Sequence, residues 1–224
     1  MTALRLCPLV VFLMLAACGD SGNSDPSAST NLQSAPTPPQ PMSVAPTTLT
    51  GTVSGDPVTL ELSETPNTGT ATFAGQVAET GDISLSVLEG NTPVVSQTVT
   101  GYYLTDPYTP LGLSLTVNGV SEQVRFSSIN LPPATLTVGS SGPLTSGVYY
   151  AADGVTVIGS IMETYSVTAN DPTSVKYSVT ATGTVNGTPT SETDVYTVSA
   201  SGSVALIEVD LLLNGQTVQF TAGS

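Results

Sequence analysis

The stretch SVKYSVTATGTVNGTPTSETDVYTVS, residues 174–199, decides the fold class. At its centre Asn186-Gly187 marks a type I′ turn, which needs φ > 0 at both middle residues. The flanks test that reading. Val175, Tyr177, Val179, Ala181 and Val185 occupy every second position or nearly so, and intervening residues are mostly polar. Folded back across a two-residue turn, they share one face with Tyr196 and Val198. A slip of one residue would expose one arm's apolar set. The same register places Glu192 opposite Ala181 and Asp194 opposite Val179, on the apolar face.

Two further Asn-Gly pairs pass the same test. Around Asn118-Gly119, Leu111, Leu113, Leu115 and Val117 share a face with Val120, Val124 and Phe126. Around Asn214-Gly215, Ile207, Val209, Leu211 and Leu213 share a face with Val218 and Phe220. Softer turns are read at Ser54-Gly55-Asp56-Pro57, Thr80-Gly81-Asp82, Asn170-Asp171-Pro172 and Ser201-Gly202. No stretch keeps a helical period. Residues 49–224 are therefore expected to form one all-β domain. It is an antiparallel meander of about ten to twelve strands, closed as a β-sandwich or an up-and-down barrel. Alternation also marks membrane-spanning barrels, but the chain has no Trp and its Tyr residues form no girdle.

Composition narrows the function. The 224 residues carry 17 Asp+Glu against 3 Lys+Arg, with no His and two Cys, for a net charge of -14. Without His there is no Ser-His-Asp triad, no Cys-His dyad and no imidazole metal site. So acidic a chain has no electrostatic footprint for nucleic acid. No phosphate loop, nucleotide fingerprint or cofactor motif is present, and no cofactor is expected.

The N-terminus reads differently. Arg5 precedes the apolar run Leu6–Leu15, and the small residues Ala16 and Ala17 follow. That order is the order of a secretory signal, and the apolar run is too short to span a bilayer. Leu15-Ala16-Ala17-Cys18 resembles the lipobox of bacterial lipoproteins. The resemblance covers the leader alone. It implies cleavage after residues 1–17, a diacylglyceryl group on the Cys18 thiol and acylation of the new amine. The partner is then a membrane, held through the acyl chains. Gly19 follows the Cys, and Asp20 comes one later, which favours the outer membrane of a cell envelope. Cys7 leaves with the leader, so the mature chain has no free thiol, and its basic side chains are Arg125 and Lys176.

Residues 18–48 read as the lipidated Cys and a disordered tether. Pro26, Pro36, Pro38, Pro39, Pro41 and Pro46 lie among Ser, Thr, Ala and Asn with no apolar period. A flexible coil of that length separates its ends by about 30 Å.

With most catalytic residue types missing, carboxylates and tyrosines remain as candidates. Glu192 and Asp194 are weak Ca²⁺ candidates, because Ca²⁺ takes oxygen ligands. Glu122 and Glu163 also fall in phase with apolar residues. Acids on a core face must be paired, line a cavity, bind a cation or lie beyond the core's edge. Glu208 and Asp210 sit on the polar side of their strand. Tyr102, Tyr103 and Tyr108 are the ligand-binding candidates, in a segment read as an ordered aromatic loop, residues 103–110. The leading functional expectation is a non-catalytic, lipid-anchored envelope protein serving as a binding or structural module. The alternatives are a barrel carrying a small apolar ligand and a carboxylate-only glycan hydrolase.

Overall fold

In the computed structural model, which describes residues 31–37, 44–117, 120–213 and 215–223, the alternating segments close into a barrel. Its strands are β2 (Val44–Val53), β3 (Asp56–Phe73), β4 (Gln76–Glu89), β5 (Thr92–Thr105), β6 (Tyr108–Val117), β7 (Val120–Ile129), β9 (Ser141–Tyr150), β10 (Val157–Asp171), β11 (Ser174–Val185), β12 (Thr188–Ser199), β13 (Val204–Leu213) and β14 (Gln216–Ala222). All pairings are antiparallel and nearly all join consecutive strands, so the topology is an up-and-down meander. Two pairings close it. β7 meets β9 across an intervening segment, and β14 meets β2 through Phe220–Gly51, Thr221–Thr50 and Ala222–Leu49. Closure removes the sandwich alternative and leaves the barrel sheet without an edge strand.

Gly51 is needed at the β14–β2 seam. A Cβ there would stand 2.5 Å from the Gln219 carbonyl oxygen. β6 contains a second tight spot. Gly112 has φ 153°, and a Cβ on it would meet the Val124 carbonyl oxygen at 2.0 Å and the Phe73 ring at 2.7 Å.

The hairpins follow the predicted registers. Tyr177 pairs with Tyr196, Val179 with Asp194 and Ala181 with Glu192. Asn186 and Gly187 both have positive φ, as a type I′ turn requires. Leu113 pairs with Val124 and Leu115 with Glu122, while Val209 pairs with Phe220 and Leu211 with Val218. Most inward positions are apolar, with Leu49, Leu60, Val87, Val124, Val209, Leu211 and Phe220 fully buried. Outward positions carry hydroxyls, some bonded across strands, as in Thr180–Thr193 and Ser86–Ser96. That sidedness is the reverse of a barrel whose outer face meets lipid.

Several local readings are corrected. Thr80-Gly81-Asp82 is no turn but lies within β4, and the reversal falls at Ala74-Gly75, both with positive φ. Gly81 serves close packing instead: a Cβ there would lie 3.2 Å from the Pro66 Cα. A register shift between Val195 and Tyr196 brings Leu206, rather than Ile207, opposite Tyr196. A shift between Tyr102 and Tyr103 leaves Leu111 only half-buried. Part of the stretch assigned to the tether is also strand. β2 begins at Val44, and β1 (Ser34–Pro36) pairs with β8 (Thr135–Thr137). Ala35 and Leu136 supply the apolar surface that holds this small sheet against the core.

The β1–β8 pair sits at one end of the barrel. Leu32 N–H donates to the Asp171 carbonyl, and Gly139 N–H to the Val167 carbonyl. The same end carries the β10–β11 and β12–β13 turns. The opposite end carries the turns at Ser54-Gly55 and Asn186-Gly187 and the loop 151–156.

Candidate functional site

Register explains how acids come to lie inside the barrel. β12 presents Glu192, Asp194, Tyr196 and Val198 inward on alternate positions, all at most 4 % exposed. The neighbouring row runs Glu163 on β10, Ala181 on β11, Glu192 on β12 and Leu211 on β13. Ala181 is the smallest member of that row, so only a methyl group separates the two carboxylates across three strands. Glu64 on β3 and Glu122 on β7 complete the set, at 7 % and 8 % exposure. Tyr108, Tyr149 and Tyr177 face the same interior.

These groups sense one another from opposite walls. Asp194 raises the proton affinity of Glu64, four strands away round the sheet, and Glu64 and Glu163 both act on Tyr108. Glu192, Glu122 and Glu163 all act on Tyr149. The aromatic rings form a linked series, with Tyr165–Tyr177 centroids 6.1 Å apart and Tyr177–Tyr196 centroids 6.4 Å apart.

Among the described residues no internal cation offsets the acids. Arg125 and Lys176 are the basic side chains among the described residues, and both belong to the outer face. Arg125 lies over the Tyr150 ring, 4.5 Å from its centroid, and donates to Gln123. Burial therefore acts on the acids unopposed. It pushes Glu163 up to about 7, against which the Thr145 hydroxyl bond to Glu163 Oε2 works. Burial, reinforced by Glu163, also pushes Asp194 strongly upward, while hydrogen bonds with Tyr196 and Glu192 pull it back. Glu64 is raised by burial first and by Asp194 second, and Glu122 is raised by burial.

Some of the polar atoms have no protein partner. Glu163 Oε1, Asp194 Oδ1, Glu122 Oε2 and the Tyr149 and Tyr177 hydroxyls are buried without one. Around two members of the cluster the wall is aliphatic: Val179 and Val209 flank Asp194 across the strands, and Ala181 and Leu211 flank Glu192.

The structure thus brings Glu122, Glu163, Glu192 and Asp194 to one interior and leaves Glu208 and Asp210 outside it, half-buried on β13. Among the described residues no three acids are disposed as a metal group. The aromatic segment 103–110 is a tight hairpin rather than a loop. Thr105 pairs with Tyr108, Tyr103 and Tyr108 point inward, and Tyr102 stacks on Phe73 with centroids 4.2 Å apart. Sequence reasoning missed Glu64, because β3 bulges between Thr65 and Gly69 and no short turn fixes its register. It did not single out Tyr149 and Tyr177 as functional, since a Tyr in phase with aliphatics reads as core. Cys18 lies outside the described residues. Comparison with protein-family models, curated proteins and solved structures gives no match.

Proposed function

We propose that this chain is a non-catalytic, lipid-anchored protein of the bacterial envelope, and that its barrel holds a small guest molecule at the acid–tyrosine cluster. One observation carries the reading: Glu163, Asp194, Tyr149 and Tyr177 bury unpartnered polar atoms in the barrel interior. A buried polar atom left unmet costs about 1–3 kcal/mol. Retaining several in one place is consistent with a partner that meets them.

The enclosure supports binding over turnover. The acids sit inside a closed barrel rather than in an open cleft along which a glycan chain runs. Their polarity favours a guest with hydrogen-bonding groups over a wholly apolar one. The lipobox-like Leu15-Ala16-Ala17-Cys18 supports anchorage through Cys18, with the outer membrane as destination.

Two measurements test the two halves. In a bacterium that processes lipoproteins, an alkyne fatty acid should label the chain, and Cys18→Ser should abolish the label and release the protein from membranes. Persistent labelling of that variant overturns the anchor. Native mass spectrometry of the gently extracted full chain should show a bound small-molecule mass that is lost on unfolding. A wild-type chain with no guest mass overturns the binding reading.

A further inference from the structure

The chemistry of the cluster specifies a guest, and this step rests on the binding reading above. We propose that the interior site takes a primary amine as its ammonium ion, with an aliphatic body lying against Val179, Ala181, Val209 and Leu211.

Three features of the site support this assignment. First, the interior presents carboxyl and phenol groups with no basic side chain among them, so positive charge is the missing element. An ammonium supplies three N–H donors, matching the acceptors left at Glu163 Oε1 and Asp194 Oδ1. Second, the Tyr149 and Tyr177 hydroxyls, at 0 % and 2 % exposure, lack protein partners, and both tyrosines interact with Glu163. The tyrosine rings offer π faces to a cation as well. Third, the flanks are aliphatic. Asp194 lies between Val179 and Val209, and Glu192 lies between Ala181 and Leu211. A bare inorganic ion makes no use of such walls, and the acids are not grouped as a metal needs. A neutral polyol uses the hydrogen bonds but, unlike an ammonium, does nothing to stabilise the carboxylate forms of the buried acids.

The placement within the fold agrees. Glu122 stands on the third residue of β7, near the barrel end remote from the β1–β8 cap. Glu122, Glu192 and Glu163 share Tyr149 as a neighbour, so acids lead from that end toward Asp194. The net charge of -14 draws cations toward the molecule.

The test uses the full mature chain in detergent, with n-hexylammonium chloride as probe and hexan-1-ol, hexanoate and calcium chloride as comparators. The readouts are the thermal midpoint and tyrosine fluorescence, which Trp does not obscure in this chain. Hexylammonium should raise the midpoint saturably and bind at least tenfold more tightly than hexan-1-ol. Glu163→Gln, a neutral isostere, should weaken it tenfold or more. Ala181→Leu, which adds bulk between Glu163 and Glu192, should do the same with every acid retained. Glu208→Gln with Asp210→Asn, on the outer face, should leave binding unchanged. Equal binding of hexan-1-ol overturns the ammonium assignment in favour of an apolar guest. Calcium that displaces the probe overturns it in favour of an inorganic cation. No response to hexylammonium overturns it outright. A guest mass that persists in native spectra then leaves the binding reading standing, so the two failures are distinguishable.

Discussion

Replacing Glu163 by Gln should make the ligand-free protein more stable above pH 7 and change little near pH 4. Glu163 is fully buried, and its carboxyl is raised from an ordinary 4.5 to about 7 by that burial. Below pH 4.5 folded and unfolded chains both carry the proton, and the side chain's contribution is fully present. Between pH 4.5 and 7 the unfolded chain ionises while the folded one holds its proton, so stability falls as pH rises. Above 7 the loss is complete, and the difference corresponds to about 3 kcal/mol. Gln keeps the shape and still accepts from Thr145, yet it cannot ionise. At pH 8 the variant should therefore exceed the wild type by about 3 kcal/mol, or about 6–12 °C for a domain of this size. Removing the Glu163 charge also relieves Asp194, which acts in the same direction. The assay is urea unfolding of both proteins at pH 4, 6 and 8. A difference between them that does not change with pH refutes the argument, because it would mean that Glu163 reaches solvent when folded.

The other expectations concern how the barrel is closed. Gly51→Ala should destabilise by about 1–3 kcal/mol, as overpacking of a seam does, and denaturant midpoints check this. An unchanged midpoint would mean that β14 and β2 can part without consequence. Leu136→Ala empties a fully buried site under the cap and should cost about 2–5 kcal/mol. Limited proteolysis of that variant should cut first within residues 130–140, and first cleavage elsewhere would show that the cap is not the part loosened.

The sequence revealed local pairing well but left the mode of closure open between a sandwich and the up-and-down barrel that forms. Asn186-Gly187 fixed a register over the whole of β11 and β12, and with it the inward position of Glu192 and Asp194. Periodicity of two says which residues share a face, but it is silent on which sheet or wall faces them. Barrel and sandwich differ here by the Phe220–Gly51 seam and the β7–β9 pairing, which carry no turn signal. Bulges defeated the finer predictions. Leu206 displaces Ile207 because a single extra residue beside Tyr196 changes the phase. Gly81 misled because glycine serves turns and close approach alike. The cluster was partly legible: Glu122, Glu163, Glu192 and Asp194 fell in phase with apolar residues, while Glu64 and the unpartnered tyrosines took on meaning only once the barrel was closed.

The small β1–β8 sheet also sets where mechanical load enters the molecule. Tension applied from the N-terminal side reaches Ser34–Pro36 before it reaches β2. Those residues are held by a short pairing with Thr135–Thr137 and by the Leu32–Asp171 bond. The barrel ladders, with twelve paired positions between β11 and β12 alone, lie behind that contact. A pull from the N-terminal side therefore strips the cap first and leaves the wall intact, so the cap works as a mechanical fuse ahead of the interior it covers.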